Sequence, residues 1–266
     1  MKTPEPTPPI RRTILHHLTR MTSLTIPAQW LNPQKHPQEW IFRCSTTLND
    51  LVKTGRAASY FRQLVTFLED DNQIINYHLK LRHNFNRNHE LDVHIYFDSI
   101  SRTSNPPIMP VCISCEPTHE LSKTSLLSEQ QYTRAWLDGR AREKLILTPI
   151  RHVERLSELI DENGEMEAFW YDAIELIDKE YGQHENFYPY MILNHGTYRN
   201  HAHLHLKINF TKAIWDEIIA PRHHDRILQI KQLLQDKSIV NDCLKKDDHQ
   251  KKKYSTKPHK YDHDLN

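Results

Sequence analysis

The chain has 266 residues, with 35 lysines and arginines against 34 acids, a formal net charge of +1, 38% hydrophobic residues and 26% charged ones. That length holds a domain plus an additional module, and the near-neutral balance predicts no nucleic-acid partner on global charge alone. No apolar run approaches the roughly 20 residues needed to cross a bilayer, so no membrane partner is expected.

Residues 1–38 carry many prolines and no sustained periodicity, and they read as a disordered arm. The start, MKTPEPTPPIRRTILHHL, lacks the apolar core of a secretory signal. Its Arg11, Arg12 and Arg20 keep a mitochondrial presequence open, although the proline cluster opposes the amphipathic helix such a leader needs. A cytoplasmic or nuclear location is otherwise expected. Residues 39–105 form an amino-terminal α/β extension whose role no motif identifies. Within it Leu48, Leu51, Val52, Tyr60, Leu64, Val65 and Leu68 fit one helical face, capped by Thr46 or Thr47 and weakened at Gly55. Two alternating runs, Ile74 to Leu81 and Leu91 to Phe97, flank the turn NFNRNH and predict a pair of strands. His78, His83, His89 and His94 fall here and read as surface positions.

The segment 101–110, SRTSNPPIMP, is a linker by composition. Beyond it, Leu145 to Leu147 is a short apolar run stopped by Pro149. Met166, Phe169, Trp170, Ala173, Ile174, Ile177 and Tyr181 then recur at helical spacing and close at Gly182. Tyr188 to Leu193 and His201 to Phe210 predict strands, and residues 211–236 one or two helices broken near Pro221. Residues 245–266 are charged and poor in apolar side chains, so they predict a disordered tail, with RNA or an acidic partner as its conceivable contact.

Two clusters carry chemistry. Cys112-x-x-Cys115, in a chain without a secretory signal, points to a metal clamp or a redox pair, whereas Cys44 and Cys243 lack a close partner. In NHAHLHLKINF, strand alternation puts His201, His203 and His205 on one face at about 7 Å steps, with Ala202, Leu204 and Leu206 on the other. Three buried imidazoles on one face each need a partner, which favours a working site. An exposed edge strand in a chain with 19 histidines is the plainer alternative.

The order Cys112-x-x-Cys115, LILTPIRH ending at His152, a helix, a strand ending at Asn194, then His-x-His-x-His resembles the zinc-containing branch of the histidine-triad (HIT-like) superfamily over about residues 110–210. The resemblance implies an α+β fold, an antiparallel sheet with one long packed helix at 164–181. It extends the HIT-like domain to 110–236 with carboxy-terminal helices. It implies a structural zinc held tetrahedrally by Cys112, Cys115, His152 and His201. His203 then takes the nucleophile's position, with a neutral nitrogen facing the α-phosphorus of a nucleotide and the other nitrogen held by a backbone carbonyl. His205 would contact phosphate oxygens, and Asn194 ribose or phosphate. Arg199 would add a phosphate contact.

The implied function is a nucleotide hydrolase or nucleotidyl transferase acting on a nucleotide or nucleotide conjugate, either a phosphoric anhydride or a phosphoramidate, through a nucleotidyl-histidine. The sequence departs from the family at 194–200, NHGTYRN, which is shorter than the usual loop and lacks its Gln and Ser. A charged Lys207 also stands in the apolar pair closing the triad, and the usual glycine before LILTP is missing. These departures resemble the HIT-like factors associated with splicing and debranching. There the implied role is a catalytically weak or inactive nucleotide- or RNA-binding module.

Overall fold

The computed structural model describes residues 26–97, 114–182, 190–199, 201 and 203–236. Cys112, Cys243, the start of the predicted strand at Tyr188, the linker 101–110 and the tail lie outside them.

The frame is one nine-stranded antiparallel sheet in an α+β fold. Its strands are β1 (Gln34–His36), β2 (Glu39–Arg43), β3 (His78–Asn84), β4 (Glu90–Tyr96), β5 (Leu126–Glu129), β6 (Thr133–Leu137), β7 (Lys144–Pro149), β8 (Met191–Asn194) and β9 (Leu206–Asn209). They lie in the order β1-β2-β4-β3-β8-β9-β7-β6-β5. The join is β3 against β8, with His78 opposite Asn194 and Leu81 opposite Met191. Residues before the linker thus supply four strands of the same sheet that carries the histidines. Residues 26–38, expected to belong to the arm, instead form a short 3-10 turn, Ala28–Leu31, and β1. Trp30 anchors this segment; it is buried and its Nε1 donates to Ser45 Oγ at 2.9 Å.

Alternation divides the sheet into two unlike faces. Leu79, Leu81, Val93, Ile95, Met191, Leu193, Leu206, Ile208, Leu145 and Leu147 are all buried on one side. Helix α1 (Leu48–Lys53), α2 (Ala57–Thr66) and α4 (Glu165–Tyr181) belong to the same core, α4 packing against α1 and α2 and against β6 and β7. Phe61 stacks on Trp170 with ring centroids 3.8 Å apart, and each such buried side chain contributes about 1.5–3 kcal/mol. The helical face expected over Leu48–Leu68 is divided between α1 and α2 at Gly55, whose φ of +68° no helix accommodates. Thr47 caps α1 through a bond from Asp50 N to Thr47 Oγ1 at 3.0 Å. Helix α3 (Glu120–Ser125) and α5 (His224–Gln235) lie next to each other. The helical stretch 212–222 runs through Pro221, and the break comes at His223. None of the described helices is long and apolar enough to cross a membrane.

The other face is polar. Lys80, His94, Lys144 and Lys207 stand on it, half-buried among Ile146 and Ile192.

Candidate functional site

His201, His203, Leu204 and His205 are not strand. The ladder begins only at Leu206, because the backbone just before it binds elsewhere: Leu204 N donates to Val153 O at 2.7 Å. That bond pulls residues 203–204 against the loop that follows β7 and carries His152, so the three histidines do not share one strand face at even steps.

The consequence is a different grouping from the expected one. Cys115 Sγ lies 3.1 Å from His152 Nδ1 and 3.3 Å from His203 Nδ1. One donor atom from each of these three residues lies within 4.8 Å of the others. His201, expected in this set, is instead packed edge-on against His205, with ring centroids 5.1 Å apart. Cys112, the fourth expected donor, lies outside the described residues. A thiol and two imidazoles are a donor set that suits zinc. The orientation of His203 suits it further. Its Nε2 lies 3.0 Å from Pro149 O, and since a carbonyl only accepts, that nitrogen carries the proton and Nδ1 presents its lone pair towards Cys115.

Each donor is held by its own scaffold. The Ser114–Cys115 turn is tied to β6 and β7 by Arg134 Nη1 donating to Ser114 O at 3.0 Å and by Ser114 Oγ bonding Thr148 Oγ1. The His152 loop is clamped from both flanks. Arg151 pairs with buried Glu165 at 2.7 Å, and Arg155 pairs with Glu69 at 3.0 Å. Ser157 Oγ and Tyr77 Oη donate to the same Glu69 carboxylate at 2.8 and 2.9 Å. Arg62, from α2, donates to Ser157 O at 2.6 Å and pairs with Asp161 at 2.8 Å.

His205 is buried at the mouth of β9. Its Nδ1 lies 3.0 Å from His203 O, so it carries the proton, and its Nε2 is buried without a hydrogen-bond partner among the described residues. Burial first, then the positive charge of Lys207, hold its pKa well below the ordinary imidazole value, so the ring is neutral at pH 7. Asn194 closes β8, opposite His78 of β3. The Oδ1 of Asn194 is likewise buried and unpartnered among the described residues.

Arg199 does not point into this space with a free guanidinium. It pairs with Glu154 at 2.5 Å and donates to Gly196 O at 3.2 Å, bracing the 195–199 turn against the His152 loop. The turn is further fixed by His195, which is fully buried, stacked on Tyr77 at 4.2 Å, and accepts from Leu156 N at 3.3 Å. Glu69, Arg155, His195 and Lys207 were not among the expected site residues. The first three gave no local signal, whereas Lys207 was visible as a charge where an apolar residue was expected.

No protein-family model matches the sequence, and no curated protein does. Among solved structures, a uridylyltransferase overlaps with a TM-score of 0.43 and 14% identity, over 75% of this chain and 79% of that one. A GalT-like protein from Arabidopsis thaliana gives 0.42 and 12%, over 62% and 60% of the two chains. An ADP-glucose phosphorylase from Arabidopsis thaliana, with bound ADP-glucose, gives 0.43 and 12%, over 64% and 62%.

Proposed function

We propose that this chain is a HIT-like nucleotidyl transferase or nucleotide hydrolase in which His205, not His203, is the nucleophile, and His203, not His201, is a zinc ligand. The observation that carries the reading is the protonation geometry of His205. Its Nδ1–H is fixed by a backbone carbonyl, which leaves Nε2 as a neutral, buried and unengaged lone pair. His203 has its Nε2 fixed in the same way, but its remaining nitrogen is turned towards Cys115.

In the proposed step the Nε2 lone pair of His205 attacks the α-phosphorus of a nucleotide conjugate. A P–N bond forms while the P–O bond to the leaving group breaks, and the leaving group takes the electron pair. Water or an acceptor hydroxyl then attacks phosphorus, breaks the P–N bond and restores neutral His205. Asn194, whose Oδ1 is buried and unpartnered among the described residues, supplies a polar contact to ribose or phosphate. Arg199 enters as a brace rather than as the phosphate contact expected of it.

The proposed zinc ligands are Cys112, Cys115, His152 and His203. A closed set of two thiolates and two imidazoles serves structure: it would fix the Ser114–Cys115 turn to the His152 loop and hold the carbonyl of His203 where it orients His205.

The test is covalent trapping. Zinc-loaded full-length chain is incubated with nucleoside triphosphates and nucleoside diphosphate sugars labelled at the α-phosphate, then quenched in alkali, which preserves P–N bonds. Label is expected on wild type and on His201→Ala, and its loss in His205→Ala with metal content unchanged. Labelling of His205→Ala at the wild-type level contradicts the proposal.

A further inference from the structure

The polar face of the sheet carries a feature that the proposed reaction does not use. Register places Lys80, Ile192, Lys207 and Ile146 in one line of direct cross-strand neighbours from β3 to β7. Neighbouring strands lie about 4.8 Å apart, so the backbones at Lys80 and Lys207, with Ile192 between them, are about 10 Å apart. About 7 Å further along the strands, Arg82 follows Lys80 by two residues and Lys144 precedes Ile146 by two, on the same face. Tyr190 lies between them. Its carbonyl accepts from Asn209 N at 3.1 Å, next to the β8–β9 ladder, and Lys80 Nζ sits 4.1 Å from the centre of its ring. Tyr190 is 41% exposed, and Arg82 is exposed too. The neighbouring acids are already engaged. Asp92, across from Arg82, is held by Arg87 and by Asn84 Nδ2 at 2.8 Å. Asp138, whose backbone N bonds Lys144 O, takes Arg142 Nη2 at 2.8 Å and Arg140 N at 2.7 Å. Lys80, Arg82, Lys144 and Lys207 make no ion pair among the described residues. The net charge of +1 conceals this band, because distribution and not total charge decides what a surface attracts.

We propose that this face binds single-stranded nucleic acid, with the backbone tracked by Lys80, Arg82, Lys207 and Lys144 and a base stacked on Tyr190. The inference goes beyond the proposed reaction and does not depend on which histidine is the nucleophile. The cations are spread from β3 across β8 and β9 to β7, about 14 Å, the reach of a chain of phosphates and not of one phosphate group. Charge alone would take any polyanion. The exposed ring among the cations is what favours nucleic acid, since every base has a π-face to lay on it. Half-buried Ile192 and Ile146 add apolar floor for unstacked bases. A duplex keeps those base faces inside its own stack, so the single strand is the form that fits.

Fluorescence anisotropy of a labelled oligouridylate of about 12 nucleotides, titrated with the zinc-loaded full chain, tests this. Wild type is expected to bind at low salt, with affinity falling as salt rises. Lys80→Gln, Arg82→Gln and Lys144→Gln are each expected to reduce the slope of log affinity against log salt by about 0.7, one phosphate contact. Lys53→Gln, an exposed position on α1 at the helical side of the sheet, is expected to leave the slope unchanged. Tyr190→Ala is expected to weaken binding about tenfold at every salt concentration, within the range of one stacked base, and Tyr190→Phe to retain it. The same strand annealed to oligoadenylate is expected to bind more weakly. No binding by wild type, or a Lys53→Gln effect equal to that of Lys80→Gln, overturns the proposal. Wild-type affinity in Tyr190→Ala, or a duplex bound as tightly as the single strand, marks a general polyanion surface and overturns it as well. The assay reads neither turnover nor covalent labelling, so failure of this surface leaves the His205 assignment untouched.

Discussion

The Nδ1 of His205 lies 3.0 Å from the carbonyl oxygen of His203, so the residue that faces Cys115 through its ring also orients the next histidine through its backbone. The proposed metal site and the proposed nucleophile are thereby linked by one hydrogen bond. Disturbing His203 moves both, whereas disturbing His205 leaves the metal donors in place.

Metal content is the first consequence. His203→Ala and Cys115→Ser are expected to lose zinc and to melt well below wild type, since binding of a structural zinc contributes directly to folding. His201→Ala is expected to keep both zinc and melting temperature. Native mass spectrometry with thermal melting reads this, and zinc loss from His201→Ala with retention in His203→Ala would reverse the assignment. Chelation of wild type is expected to reproduce the His203→Ala melting curve.

Glu69 lies in the strand-poor segment before β3, yet it gathers Arg155, Ser157 and Tyr77 beneath the His152 loop. Glu69→Ala leaves a mostly buried Arg155 without its carboxylate and is expected to cost about 1–3 kcal/mol. Because the loop also carries His152, zinc affinity is expected to fall about tenfold, in the range of support-residue changes at metal sites. Competition with a zinc chelator measures it, and unchanged affinity would show that the loop holds His152 without Glu69.

Gly196 has a φ of +58°, and an added Cβ would fall 1.8 Å from Asn76 Oδ1 and 2.8 Å from the backbone oxygen of Ile75. Asn76 Oδ1 is itself the acceptor for Thr197 N at 2.9 Å. Gly196→Ala is therefore expected to cost at least about 2 kcal/mol by denaturant titration, and to disturb Asn194 two residues before it. A neutral substitution there would contradict the described turn.

Burial pushes His195 down to about 3, helped by the neighbouring charges of Arg155 and Arg199. Its folded value lies below the ordinary 6.5, so the unfolded chain binds the proton first. Stability is full above that ordinary value and is lost as pH falls from there towards 3. The loss approaches about 1.4 kcal/mol per pH unit for one proton. His195→Gln is expected to flatten this slope by about one proton between pH 6 and 4; an unchanged slope would mean that His195 is not the titrating group. His83, which burial pushes down to about 4, adds a slope of the same sign and stays in both proteins.

What could be read from the sequence follows the range over which each signal acts. Helix α4 was legible because its apolar spacing is unbroken from Met166 to Tyr181, and it is observed from Glu165 to Tyr181. The Cys115 and His152 pairing was implied by the family resemblance, and the two lie 3.1 Å apart. Which histidine joins them was not, because His201, His203 and His205 are equivalent under strand alternation. One bond to Val153 O, contributed by a loop about 50 residues away in sequence, shifts the grouping by two. Residues 39–97 carried no motif, and their place in the sheet rests on β3 pairing with β8, a contact between segments more than 100 residues apart.

The most direct measurement is the position of the covalent nucleotide. Labelled zinc-loaded protein, quenched in alkali and digested, yields the peptide that spans 201–207, and fragmentation locates the modified ring. Nucleotide on His205 is the expected result. Nucleotide on His203, or on neither histidine with every nucleoside triphosphate and diphosphate sugar tried, would contradict the reading.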